Sequence, residues 1–466
     1  MSTGSPSIAT VPTAKPLEPM PGITADDDRL PQKPMQWLAL MVVAAFVGAG
    51  AGLVGGVFRL ALVWLDDSRT NMVQMVYAHV PHWIGWLIPT ALCAAGAYIS
   101  VWLTQTLSPQ TAGSGIPRVE AALRTHLAPV GAVILPVKFI GGVLSIGSGL
   151  ALGREGPTVQ MGGTIGRIVG DWLRRIIPEP WTLIAAGAGA GLAVAFNAPL
   201  AAALFVMEEL LHRFSARVFS ATLIACITGT VVLRAVVSNA TDFSVASFGN
   251  VPAGVLPNYL LMGIVAGFLG VAFNVTLLAA LRLFDCADRW PRGIKGAVVG
   301  AAAGLLAWYA PRDVGGGESL AQFALSTHVA IQLMVMLLLI RFALTMTSYG
   351  CGAPGGIFAP LLALGALLGN AYASATAYVT HVPTAPAAYA IVAMAACFTS
   401  IVRSPLTGVV LLLEMTGGWT LILPMMAASL TAYAVPELLG NPPIYDSLRE
   451  RDELKEKELR SRKGKS

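Results

Sequence analysis

Charge is what this chain has least of. Asp, Glu, Lys and Arg together supply 12% of its 466 residues, about half the roughly 25% usual for soluble domains. None of the four occurs from Trp181 to Met207, from Ser319 to Ile340, or between Arg341 and Arg403. About 20 apolar residues suffice to cross a bilayer, and the mean hydropathy is +0.68. A soluble domain is excluded; the pattern is that of a polytopic membrane protein. Regular polar–apolar alternation is also missing, which excludes a membrane barrel and leaves helices. Cysteine is scarce and scattered: Cys93, Cys226, Cys286, Cys351 and Cys397 form no CxxC pair, and the six histidines show no metal-ligand spacing. No metal and no cofactor are expected. HExxH and GxxxxGK[ST] are absent, so a zinc protease and an ATP-driven pump lose their signatures. No Ser–His pair stands in a protease motif, which leaves an intramembrane enzyme a remote alternative. The net charge of +5 is too diffuse to imply a nucleic-acid partner.

What is abundant is glycine and proline inside the apolar runs, as in "GAGAGLAVAFNAPL" and "GCGAPGGIFAP". Such interruptions predict broken helices, which in transporters face one another near the midplane and hold ions with their ends. Residues 1–34 are rich in Pro, Ser and Thr and read as a disordered leader without signal-peptide features. The membrane domain is expected over 35–443, followed at 444–466 by a charged, helix-prone tail. Basic clusters at Arg174-Arg175, at His212, Arg213 and Arg217, and in the tail suggest cytoplasmic placement of those segments.

The chain also repeats itself. "GSGLALGREGP" (147–157) aligns with "GCGAPGGIFAP" (350–360), and "NAPLAAALFVMEE" (197–209) with "RSPLTGVVLLLEM" (403–415). Pro199 and Glu208 are nine apart, as are Pro405 and Glu414. Two related halves, roughly 35–235 and 255–440, are expected to meet around a shared site. Three Gly-rich breaks, "GSGIP" (113–117), "GREGP" (153–157) and "GGIFAP" (355–360), each stand where a loop would end and a helix begin. Free N–H groups and the positive dipole end favour an anion there. A site built from dipoles binds an anion without trapping it, as conduction requires.

These three motifs, in this order, resemble the CLC family of chloride channels and chloride/proton antiporters. "LPVKFIGG" (135–142), "AFNAPLAAALFVMEE" (195–209), "SPLTGVVLLLEMT" (404–416) and "NPPIYDSL" (441–448) extend the match over nearly the whole membrane domain. The resemblance is to the short bacterial type without cytoplasmic regulatory domains. It implies an all-α fold of two inverted repeats of tilted, broken helices. It further implies a homodimer in the bacterial inner membrane, with one pore per subunit and both termini cytoplasmic. Residue by residue, it implies that Ser114, Tyr445 and the amides of Ile357 and Phe358 hold the central chloride. Glu155 would be the outer gate and Glu209 the inner proton acceptor. Gly156, Gly356, Glu120 and Lys138 are secondary candidates beside them.

Each residue also has a plainer reading. Glu155 could be a helix-start acid paired with Arg154, Ser114 a helix cap, and Tyr445 an interfacial anchor. Glu120 and Lys138 could tune potential or proton movement, or simply take part in structural pairs. Glu208 recurs as Glu414, which suggests a structural role, whereas Met415 stands where Glu209 would recur. In the family, exchangers usually carry an acid at the position of Glu209 and channels an apolar residue. Chloride/proton antiport is therefore the expectation, with a passive chloride channel as the alternative. Ser114 points to chloride, since nitrate-preferring members tend to have proline there.

Overall fold

The computed structural model describes residues 34–124, 131–174, 177, 180–237, 243, 252–287, 289–327, 330–382 and 384–463. The leader, Pro34 aside, lies outside the described residues.

The described chain is helical almost throughout. Nine helices fall in the first half: α1 (Pro34–His79), α2 (His82–Gly85), α3 (Leu87–Leu107), α4 (Ile116–Arg124), α5 (Ile134–Gly147), α6 (Glu155–Trp172), α7 (Pro180–Phe196), α8 (Pro199–Phe205) and α9 (Ala216–Val236). Eight follow in the second: α10 (Leu256–Cys286), α11 (Ile294–Tyr309), α12 (Glu318–Ser326), α13 (Ile331–Gly350), α14 (Phe358–Thr380), α15 (Pro386–Val402), α16 (Pro405–Thr416) and α17 (Ile422–Leu438). The charged tail forms α18 (Ile444–Lys463).

Seven described helical segments are long and apolar enough to cross a membrane. Five apolar helices, α5, α7, α11, α15 and α16, have only 10–17 residues. Seventeen residues rise about 26 Å, short of the roughly 30 Å hydrocarbon core. The breaks have local causes that repeat between the halves. α7 ends at Asn197, held at φ 51°, and α8 begins at Pro199; α15 ends at Arg403, held at φ 74°, and α16 begins at Pro405. A left-handed residue stops one helix, and proline, with φ preset and no N–H to lose, starts the next. Gly149 and Gly352, aligned by the repeat, also share positive φ.

Packing mirrors the duplication. α6 packs on α7 as α14 does on α15, α1 on α9 as α10 on α17, and α7 on α9 as α15 on α17. Across the halves, α3 meets α11 and α8 meets α16. Every residue of α7 is buried, as expected of a helix apolar all round. Leu192–Phe196 and Ala201–Ala203 are thus core. The halves are stitched at the Gly-rich breaks. Gly153 and Gly356 exchange backbone bonds (2.8 and 2.7 Å), Gly113 N–H donates to Ala353 (3.2 Å) and Gly355 N–H to Gly113 (3.0 Å). The starts of α6 and α14 therefore meet N-terminus to N-terminus, as an inverted pair of halves requires.

Candidate functional site

Glu155 opens α6 and is fully buried. Its Oε1 accepts from the amides of Phe358 (2.6 Å) and Ala359 (3.2 Å), at the start of α14. Oε2 has no hydrogen-bond partner. The side chain thus bonds across to the other half rather than to its chain neighbour. Arg154 instead donates from Nε to the Ala195 carbonyl (2.9 Å), with Nη1 3.6 Å from Glu318. A carboxylate is seated on the free amides of another helix's first turn, where N–H groups and dipole both favour an anion. Phe358 was a candidate from the sequence; Ala359 was not. The Ile357 amide, one residue earlier, is not engaged by this carboxylate. Gly356 lets it in: a Cβ there would lie 2.5 Å from Oε1. Gly156 packs on Ser114, where a Cβ would lie 2.6 Å from its carbonyl oxygen.

Ser114 and Tyr445 are both fully buried. The Ile116 amide reaches Ser114 Oγ at only 3.5 Å, a weak cap that leaves the hydroxyl largely unspent. The Ser114 amide donates to Tyr349 Oη at 3.3 Å. Tyr445 Oη has no hydrogen-bond partner, and its ring packs edge-on against Phe358, centroids 5.7 Å apart. An interfacial anchor would expose that hydroxyl at the protein's surface, whereas Tyr445 is buried inside the protein. The Phe358 ring is further surrounded by those of Phe196, Phe205 and Phe398, centroids 4.9–6.1 Å away, which makes it the centre of an aromatic cluster.

Glu209 lies in a short π-helical turn, Val206–Leu210, that ends α8. It is 4% exposed and accepts from Ser404 Oγ at 2.6 Å. Its neighbour Glu208 caps α16, accepting from the amides of Leu406 (3.2 Å) and Thr407 (2.8 Å). Glu414 returns the bond to α8 through Leu200 (3.2 Å) and Ala201 (2.8 Å). The repeated acids are reciprocal caps, and the unrepeated one points elsewhere. Ser404 was not singled out in the sequence. Its signal was the same broken symmetry, because Ala198 occupies the equivalent place.

The secondary candidates resolve into supports. Lys138 is fully buried and donates to the carbonyls of Thr111 (2.9 Å) and Gly113 (2.7 Å), holding the turn that carries Ser114. Its partners are carbonyls rather than an acid. Glu120 Oε1 accepts from Arg124 (2.7 Å) and Arg449 (3.0 Å), which ties α4 to the tail helix. Arg124 also contacts His212 Nδ1 (3.3 Å) and Asp446 (3.6 Å), so His212 lies on the α18 side. Burial, and then the Arg124 guanidinium, hold the His212 imidazole below its ordinary pKa.

Two cavities approach this region. On the tail side a cavity of about 820 Å³ reaches Gly113 and Gly115, with Arg118, Lys295, Arg451 and Lys455 among its lining. A smaller one of about 130 Å³ is lined by Arg154, Asp66, Asp67 and Glu318.

Residues 95–437 match the family described as voltage gated chloride channel. The H(+)/Cl(-) exchange transporter ClcA of Vibrio parahaemolyticus is 39% identical over 434 residues, covering 90% of this chain and 92% of that protein. The transporter of the same name from Klebsiella pneumoniae is 38% identical over 439 residues, covering 91% of each. Among solved structures, a slow cyanobacterial Cl-/H+ antiporter superposes with a TM-score of 0.84 at 34% identity, over 91% of this chain and 99% of that one. A eukaryotic CLC transporter shares the fold, with a TM-score of 0.76 at 23% identity, over 90% of this chain and 74% of that one.

Proposed function

The chain belongs to the voltage gated chloride channel family, and from that premise we propose that it exchanges chloride for protons across a membrane. One observation carries the reading: the buried Glu155 carboxylate sits on the Phe358 and Ala359 amides, an anion of the protein's own in a place made for anions. Ionised, the side chain excludes chloride from that seat. Protonated, it loses the charge that holds it on two N–H donors, and chloride can displace it. One carboxyl therefore carries the proton and gates the anion, and competition for one seat couples the two movements. In this reading chloride is held further in by the Ser114 and Tyr445 hydroxyls and the amides of Ile357 and Phe358. Glu209 exchanges protons with the tail side. The chain works as a homodimer in a bacterial inner membrane, with a pore in each subunit and its termini on the cytoplasmic side.

The test is flux in liposomes with a proton gradient and no chloride gradient. The wild type should drive chloride uphill. Glu155→Gln and Glu155→Ala keep no titrating carboxyl, so their chloride flux should be passive and insensitive to pH. A wild type that dissipates chloride without moving protons is a channel, and mutants that still pump chloride uphill remove Glu155 from the gate.

A further inference from the structure

Ser114 and Tyr445 stand at the starts of two helices that lie against each other. Ser114 is two residues ahead of α4, Tyr445 is the second residue of α18, and α4 and α18 pack together. Their fastenings differ. The Ser114 turn is pinned by the Lys138 bonds to the Thr111 and Gly113 carbonyls. Tyr445 Oη makes no hydrogen bond, so its place follows from its ring packing and from where α18 begins. Ahead of Tyr445 the chain is fastened at two carbonyls: Asn441 accepts from Arg403 Nη2 (2.8 Å) and Pro442 from Asn274 Nδ2 (3.2 Å). Neither donor lies on α4.

Ion pairs join α18 to α4. Arg118 lies 3.4 Å from Asp452 and Arg124 3.6 Å from Asp446, with side chains 26–35% exposed. Water screens such pairs, and they contribute little. A third pair is buried. Arg449 Nε donates to Glu120 Oε1 at 3.0 Å, with the two side chains 14% and 0% exposed. Arg449 follows Tyr445 by four residues, so the two share one face of α18, and Glu120 lies one turn into α4. The rest of the guanidinium is also engaged: Nη2 donates to Asp446 (3.0 Å) and Nη1 to Glu453 (3.3 Å). Its planar fork fixes those directions relative to one another. Glu120 Oε1 accepts from Arg124 as well (2.7 Å), so the buried acid keeps a cationic partner if Arg449 is replaced.

We propose that Arg449 is a positioning residue for chloride: through the buried Glu120 it holds α18 against α4 and so sets where the Tyr445 phenol stands relative to Ser114. The inference rests on the reading that these two hydroxyls hold the anion. A donor held in place costs less to order when the anion arrives. Without the buried pair, α18 keeps only screened pairs toward α4, and the phenol is less often where chloride needs it.

The experiment is calorimetry with chloride on purified protein, with thermal midpoints measured alongside. Arg449→Gln should weaken binding by roughly three- to tenfold, bounded by the loss of one hydrogen bond to a charged ligand. Glu120→Gln should weaken it too. A guanidinium acting through its field alone predicts opposite shifts, because one variant removes a positive charge and the other a negative one. Tyr445→Phe should weaken binding about tenfold by itself. Adding Arg449→Gln to Tyr445→Phe should cost little more, since no hydroxyl is left to place. If Arg449→Gln does not fold, Arg449→Lys carries the test: it keeps the charge without the fork, and should weaken chloride only where the Tyr445 hydroxyl is present. Unchanged affinity in Arg449→Gln, or in Arg449→Lys where only that variant folds, overturns the proposal. A lowered midpoint with that unchanged affinity makes Arg449 a structural tie. Stronger binding in Glu120→Gln, or an equal loss with and without the Tyr445 hydroxyl, also overturns it. If Tyr445→Phe leaves affinity unchanged, the chloride reading of the two hydroxyls fails and this inference falls with it. A loss in Tyr445→Phe with none in Arg449→Gln overturns this inference alone.

Discussion

Glu209 is buried and accepts a hydrogen bond from Ser404 across the two halves of the chain. The duplicated segment repeats Glu208 as Glu414 and replaces Glu209 by Met415, so the acid without a counterpart stood out. Its hydrogen bond to Ser404, 195 positions away, did not, because nothing local joins the two. The same holds for Lys138, whose partners are backbone carbonyls, and for Glu120, whose partner Arg449 lies 329 positions on. Ser114 and Tyr445 were legible only through family resemblance, since a lone serine and a lone tyrosine carry no pattern. Glu209→Gln should abolish proton movement while chloride still flows, as read by pH change alongside chloride efflux. Undiminished proton pumping would exclude Glu209 from the route. Tyr445→Ala should weaken chloride binding about tenfold, the size of a hydrogen bond to a charged ligand, and should loosen coupling. Calorimetry reads the first and the flux ratio the second. If both stay at wild-type values, the unpartnered hydroxyl serves packing alone.

At the scale of elements, the helix breaks were the most legible feature of the chain. Glycine and proline mark them chemically, and helices start at Ile116, Glu155 and Phe358, inside the three Gly-rich motifs. The reciprocal capping of α8 and α16 was half visible: the matched Pro-to-Glu spacing was in the sequence, but not that each acid crosses to the other half. α8 has seven residues and α16 twelve, too few to be stable alone, so each depends on contacts such as the carboxylate on its first amides. Losing such a cap costs about 1–2 kcal/mol. Glu414→Ala should therefore lower the thermal midpoint in detergent, and Glu414→Gln, which keeps an acceptor oxygen, should lower it less. The chloride-to-proton ratio of the folded fraction should remain that of wild type in both. A changed ratio with an unchanged midpoint would place Glu414 in transport and contradict the structural reading of the repeated acids.

At the scale of the whole molecule, the candidate site draws on both halves of one chain. Glu155 bonds to the Phe358 amide, Tyr445 packs on the Phe358 ring and Gly156 packs on Ser114, all within a single chain. The surface carries apolar side chains on α8 and α16, where the halves meet, and on the neighbouring α17: Leu200, Leu406, Leu423, Met426 and Leu430 are all exposed. In a bilayer, apolar exposure alone does not drive association, because lipid covers it equally well. The expectation of a homodimer rests on the family resemblance. Light scattering on detergent-purified protein should give twice the chain mass of 48.5 kDa, and a brief amine crosslink should trap the pair. Dimers made with one Glu155→Gln subunit then separate independent pores from a shared one. With a pore in each chain, such mixed dimers should retain about half the proton-coupled chloride uptake and add a passive, pH-insensitive chloride leak, because the variant subunit cannot exclude chloride with a carboxylate. Mixed dimers with no uphill chloride movement, even after the leak is subtracted, would mean that one gate controls both paths and that the single-chain site is not the transport unit.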